Sequence, residues 1–164
     1  MIELGVFSVL YSLLSRHRIV LLKENNGDRY LPVWIGQSEA EAIAMPLQGV
    51  TPPRPLTHDL LSGMVTELGG RLQHIVINDL NDGVFYARLA IQREGATLMM
   101  DSRPSDAIAL AVRCSVPMYV EAAVMDKAGI VPSADIRSPE SRPADDLDVF
   151  RTFVDNLDLG KLGD

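Results

Sequence analysis

An α+β domain, with helices packed on a largely antiparallel sheet, is the fold class this sequence predicts, and three observations predict it. Two pairs of strand-like runs are each joined by turn chemistry, Asn25-Asn26-Gly27-Asp28 in one case and Asn81-Asp82-Gly83 in the other. Helical apolar stripes follow those pairs instead of alternating with single strands. The chain has 164 residues, 47% of them hydrophobic, and a chain of that length can bury roughly 68–70% of its unfolded surface in one core.

The apolar stretch Val6 to Leu14 is expected to be the first strand. Glu3 precedes it and Arg16 and Arg18 follow it, the reverse of the charge order of a secretory leader. No run reaches the ~18 apolar residues of a membrane span, so no membrane is implied and the expected location is cytoplasmic. Ile19 to Leu22 and Tyr30 to Ile35 form a hairpin around the first turn. Ser38 and Glu41 then have the spacing of a capping box, and Ala40, Ile43, Ala44 and Leu47 fall on one helical stripe. Pro46 should end or kink this helix near Met45. Thr57 is the expected N-cap of a second helix, whose Leu60, Leu61, Met64, Val65 and Leu68 make the cleanest apolar stripe in the chain. Gly69-Gly70 stops it.

Leu72 to Leu80 and Val84 to Ile91 flank the second hairpin turn, leaving Tyr86 and Arg88 on the face opposite Phe85, Ala87, Leu89 and Ile91. A further strand, Thr97 to Met100, leads into Ala107 to Val112, a helix apolar on nearly all sides, and Pro117 to Val120 closes the domain as a last strand. The helices share an acid-Ala-Ile-Ala tetrapeptide, Glu41 to Ala44 and Asp106 to Ala109. Either a hairpin-helix unit is duplicated or two amphipathic helices coincide. Trp34, Tyr30 and His74 are expected to pack in or beside the core.

Residues 1–130 make the folded unit, and 131–164 an acidic tail in which Leu147, Phe150, Val154 and Leu157 form a docking amphipathic helix over about 146–158. Of the net charge of −7, the tail holds −4. The total argues against coating a polyanion through bulk charge, but the folded unit is only −3. Cys114, the single cysteine, cannot form an internal disulfide and is expected as a buried thiol.

Two segments are over-equipped for structure alone. Arg54-Pro55-Leu56-Thr57-His58-Asp59 places Arg54 and Thr57 ahead of a helix N-terminus, a setting that holds phosphate. His58 and Asp59 lie off the apolar stripe and are expected to face solvent or a partner. Asp101-Ser102-Arg103-Pro104-Ser105-Asp106 again runs from strand into helix. Asp101 and Asp106 can converge across that bend on Mg²⁺ or Mn²⁺, or Arg103 between them can pair with both. Glu39 and Glu41 diverge on their helix and make no carboxylate pair.

Three blocks, Tyr30 to Gly36 with Glu39-Ala40, Arg54 to Leu60, and Asp101 to Leu110, closely resemble the signature blocks of the bifunctional nuclease domain family. The resemblance spans about residues 1 to 130, with departures at Ser102, where alanine is usual, and at Pro46. It implies an α+β fold, commonly a homodimer, and a nuclease activity on DNA and RNA described for some plant members.

With that resemblance, the leading expectation is a divalent-metal-dependent nuclease. Asp101 and Asp106 hold the metal, Arg54 and Arg103 bind phosphate, and His58 is the general acid or base oriented by Asp59. Thr57, Ser105 and Arg88 extend the substrate surface, Arg88 together with Tyr86. The alternative is a non-catalytic dimeric scaffold or small anion-binding module, in which both Arg-Pro segments serve as caps and salt bridges.

Overall fold

Two three-stranded meanders make most of the sheet in the computed structural model, which describes residues 1–11 and 18–131. The first consists of β1 (Ile2–Tyr11), β2 (Arg18–Glu24) and β3 (Tyr30–Ile35), the second of β4 (Gly70–Asn81), β5 (Val84–Arg93) and β6 (Ala96–Ser102). Between them lies β7 (Met118–Val120), antiparallel to β1 and parallel to β4, giving a 7-stranded sheet in the order β3-β2-β1-β7-β4-β5-β6. The helices are α1 (Gln37–Leu47), α2 (Thr57–Glu67), α3 (Pro104–Cys114) and α4 (Ala122–Ala128). This is the predicted α+β class with a mixed, mostly antiparallel sheet; α4 has no counterpart in the expected elements.

Local turn chemistry explains the meanders. Asp82 and Gly83 take φ of 49° and 75° between β4 and β5, the left-handed pair a tight hairpin requires. Glu94 and Gly95, with φ of 50° and 80°, do the same between β5 and β6. The sequence signal for that second turn is weak because glutamate rarely adopts positive φ.

Ile75, Ile77, Ala87, Leu89 and Ile91 cover one face of the sheet and pack against α3, whose Ala107 to Ala111 are all buried. A second cluster of Leu10, Ile19, Leu21 and Tyr30 packs with the partly buried Trp34 and Ile130, so Tyr30 is a core residue and Trp34 lies beside the core. His74 is half-buried, edge-on to Tyr119 at 5.5 Å.

Helix starts differ slightly from expectation. Gly36 is the N-cap of α1, so Ser38 lies inside the helix, and Leu56 is the N-cap of α2, so Thr57 is its first residue. The acid-Ala-Ile-Ala tetrapeptides begin at different helical positions, Glu41 well inside α1 and Asp106 in the first turn of α3. The structure does not establish a duplicated hairpin-helix unit. Among the described residues no helix is long and apolar enough to cross a membrane. The expected tail helix, and part of the first expected strand, lie outside the described residues.

Candidate active site

Helix α2 is turned the opposite way from its apolar pattern. Leu60 and Leu68 are 58% and 63% exposed, Leu61 and Met64 are exposed as well, and of the stripe only Val65 packs against the core. The buried residue of the helix is His58, only 9% exposed. The expectation that His58 faces solvent is therefore corrected, while Asp59 is half-buried and stays partly open to solvent. The physical reason lies on α3, where partners wait for the polar side of α2. The His58 Nε2–H donates to Asp106 Oδ1 at 3.1 Å, Arg113 Nε donates to Asp59 Oδ1 at 2.7 Å, and Ser62 Oγ lies 3.2 Å from Cys114 Sγ. Burying a polar group is costly unless it is paired, and here each one is paired.

Asp106 is the hub. Arg103 forks onto it, Nε donating to Oδ2 at 2.7 Å and Nη2 to Oδ1 at 3.1 Å, while Arg103 Nη1 lies 3.1 Å from Glu39 Oε1. The resulting chain Glu39–Arg103–Asp106–His58 ties α1, α3 and α2 together. Arg103 itself keeps 66% of its side chain in solvent. Glu39 is the member that sequence reasoning set aside. Glu39 and Glu41 do diverge, Glu41 taking a hydrogen bond from Gln37 Nε2 at 3.0 Å, but Glu39 folds back over the N-cap. A Cβ on Gly36 would collide with its carboxylate. Glycine three residues before an acid at a helix start is the signal that could have found it.

Two carboxylates titrate below the usual range. Burial alone would raise Asp106, but the hydrogen bond from Arg103, then that from His58, outweighs it. Asp59 is lowered first by the Leu56 N–H, 2.8 Å from its Oδ2, and next by Arg113. Folded-state values below the unfolded ones mean that both contribute stability above the ordinary carboxylate pKa of about 4 and lose it as pH falls through the depressed values. Urea midpoints measured from pH 6 downward should hold until about pH 4 and then drop, and Asp106→Asn should flatten that drop.

Arg113 also explains how α1 accommodates Pro46 in its last turn. Proline has no N–H to donate to the carbonyl of Ala42 one turn earlier. Arg113 Nη1 donates to that oxygen instead at 2.6 Å, and to Ala109 O at 2.9 Å. The helix, expected to end or kink near Met45, passes through Pro46 and ends one residue later, at Leu47.

The remaining candidates are dispersed. Arg54 and Thr57 are exposed at the N-terminus of α2, and Ser105 is buried in the first turn of α3. Tyr86 and Arg88 are exposed on β5, with Asp101 opposite Arg88 across the β5–β6 ladder. Strand alternation puts Arg88 and Asp101 on the face away from α3. Asp101 and Asp106 are thus not brought together, and both oxygens of Asp106 are engaged by Arg103 and His58. Among the described residues no three His, Cys, Asp or Glu side chains gather as a metal site. This donor set does not fit Mg²⁺ or Mn²⁺ held by the two aspartates.

The sequence matches the Bifunctional nuclease domain over residues 20–133. The chain belongs to the bifunctional nuclease domain family. The matched span of this domain contains the whole Glu39–Arg103–Asp106–His58 chain as well as Arg113. Two Mycobacterium tuberculosis proteins, each named as uncharacterized, are 46% identical to it over 141 residues, covering 85% of this chain and 84% of theirs. Bifunctional nuclease 1 of Oryza sativa subsp. japonica is 28% identical over 117 residues, 70% of this chain and 35% of its own length. Bifunctional nuclease 1 of Arabidopsis thaliana is 27% identical over 133 residues, 78% of this chain and 40% of its own. The bifunctional nuclease domain thus spans well under half of those plant relatives.

Proposed function

We propose that this chain hydrolyses phosphodiester bonds of DNA and RNA at the His58–Asp106 pair. The observation that carries the reading is a buried histidine held by a carboxylate that is itself forked by a solvent-exposed arginine. The bond to Asp106 keeps a proton on Nε2, so in the neutral ring Nδ1 is the atom able to take one. DNA has no 2′-hydroxyl, so a water must attack phosphorus. His58 takes its proton as the new P–O bond forms, the P–O bond to one sugar oxygen breaks, and that oxygen leaves as a hydroxyl with a proton from solvent, while Arg103 and Arg54 steady the charge that develops on the phosphate oxygens. The names of the rice and Arabidopsis relatives support the reaction class.

No step here passes through a divalent ion, because the aspartates do not gather to hold one. Labelled single- and double-stranded DNA and RNA, incubated with Mg²⁺, Mn²⁺ or chelator, test the proposal. The expected result is cleavage of both polymers by wild type in every arm. A scaffold reading has one observation in its favour, the saturation of Arg103 by two carboxylates, and it predicts no cleavage in any arm by folded protein.

The working unit we propose is a homodimer in the cytoplasm, the latter in keeping with a lone cysteine that has no partner in the chain. Support for the dimer comes from β6, an edge strand in unbroken register with β5, whose Leu98, Met99 and Met100 are exposed and which contains neither lysine nor proline. Such an edge is a template for antiparallel pairing with a second copy, and the exposed leucines of α2 add apolar surface. Met100→Glu is expected to turn a dimer into a monomer by light scattering. A monomeric wild type would remove this part of the proposal.

A further inference from the structure

A cleft of about 480 Å³ lies between the end of α1, the 49–56 loop, α2 and α3, within the roughly 300–1,000 Å³ of small-molecule sites. Its walls include Pro46, Val50, Pro52 and Val112, and Asp59 and Arg113 line it as well. The Arg113 side chain is only 9% exposed and is held rigidly, with Nε on Asp59 and Nη1 on the carbonyls of Ala42 and Ala109. Its Nη2 donates to no described group. Arg113 and Asp59 both belong to the lining of the cleft. Each oxygen of Asp59 accepts one hydrogen bond, from Arg113 or from the Leu56 N–H, and keeps capacity for another.

The cleft therefore offers an N–H donor beside a carboxylate acceptor, between stiff apolar walls. An anion gains little there, because Asp59 cancels the charge of Arg113. A neutral planar heterocycle carrying an acceptor next to an N–H donor matches both groups and has apolar lining from Pro46, Val50, Pro52 and Val112 to lie against. Asp59 directly follows His58 in the chain, and Arg54 stands in the loop at the same end of α2. We infer that this cleft takes a nucleobase of the substrate, with the adjoining phosphate directed toward Arg54 and His58. The identity of the heterocycle as a nucleobase rests on the nuclease reading.

The test is titration of the full-length protein with guanosine, adenosine, cytidine and uridine, and separately with inorganic phosphate and acetate, followed by calorimetry. Val50→Trp, at an exposed wall position, narrows the cleft while leaving the Arg113 and Asp59 side chains themselves unchanged. Saturable binding of at least one nucleoside, weakened about tenfold or more by Val50→Trp and not displaced by phosphate, is expected. No saturation by any nucleoside, affinity unchanged in Val50→Trp, or displacement by phosphate overturns the inference. Binding is read without turnover, so a protein that cleaves but binds no nucleoside contradicts the cleft alone. One that binds nucleosides but never cleaves contradicts the nuclease reading alone.

Discussion

Replacing Arg113 by methionine is expected to destabilise the fold by about 2–4 kcal/mol, somewhat below the loss typical of a broken, fully buried ion pair because Asp59 is partly open to solvent. Methionine keeps the bulk of the stem, so the loss is mainly of hydrogen bonds. Asp59 is left without its guanidinium, and the carbonyl of Ala42, which Pro46 cannot serve, is left without a donor. A second substitution isolates the last effect. Pro46→Ala supplies an N–H to Ala42, so in the Arg113→Met background it should recover about 1 kcal/mol more than it contributes in wild type. Urea unfolding of the four proteins closes this double-mutant cycle. Purely additive effects would mean that the arginine does not stand in for the missing proline N–H.

The second large effect concerns the reaction. Asp106→Asn is expected to lower the cleavage rate by about 10²–10⁴-fold, the usual worth of a positioned acid–base group. It removes the negative charge that holds both His58 and Arg103, and an amide cannot accept from both in the same way. His58→Gln should fall in the same range, and the two losses should not add, since the residues act as one unit. Glu39→Gln touches the network only through Arg103 and should cost less. Circular dichroism and urea midpoints of each variant separate lost chemistry from lost fold.

Much of the fold was legible because its determinants are local. Asn25 to Asp28 and Asn81 to Gly83 announce hairpins by turn chemistry alone, and the unbroken apolar run in α3 announces a helix buried on all sides. The orientation of α2 was not legible. Its leucines show which side is apolar, but the side that packs is decided by Asp106 and Arg113, which stand 48 and 54 positions away from their partners His58 and Asp59. The continuity of α1 likewise depends on a donor 71 positions from Ala42. Asp101 and Asp106 pointed the other way. Closeness in sequence suggested a shared metal, while strand alternation sends Asp101 to the opposite face of the sheet. The leucines of α2 were in view as a pattern, yet their exposure became apparent only once α3 had claimed the polar side of α2.

The central claim is that the chemistry belongs to the His58–Asp106 pair on the polar side of α2 and not to an Asp101–Asp106 metal pair. Cleavage rates of Asp101→Asn and Asp106→Asn, each measured on one labelled substrate with Mg²⁺ and with chelator, test it most directly. The account predicts that Asp101→Asn stays within about twofold of wild type in both conditions while Asp106→Asn falls at least about 10²-fold in both. Loss of activity in Asp101→Asn, together with loss of wild-type activity in chelator, would contradict it.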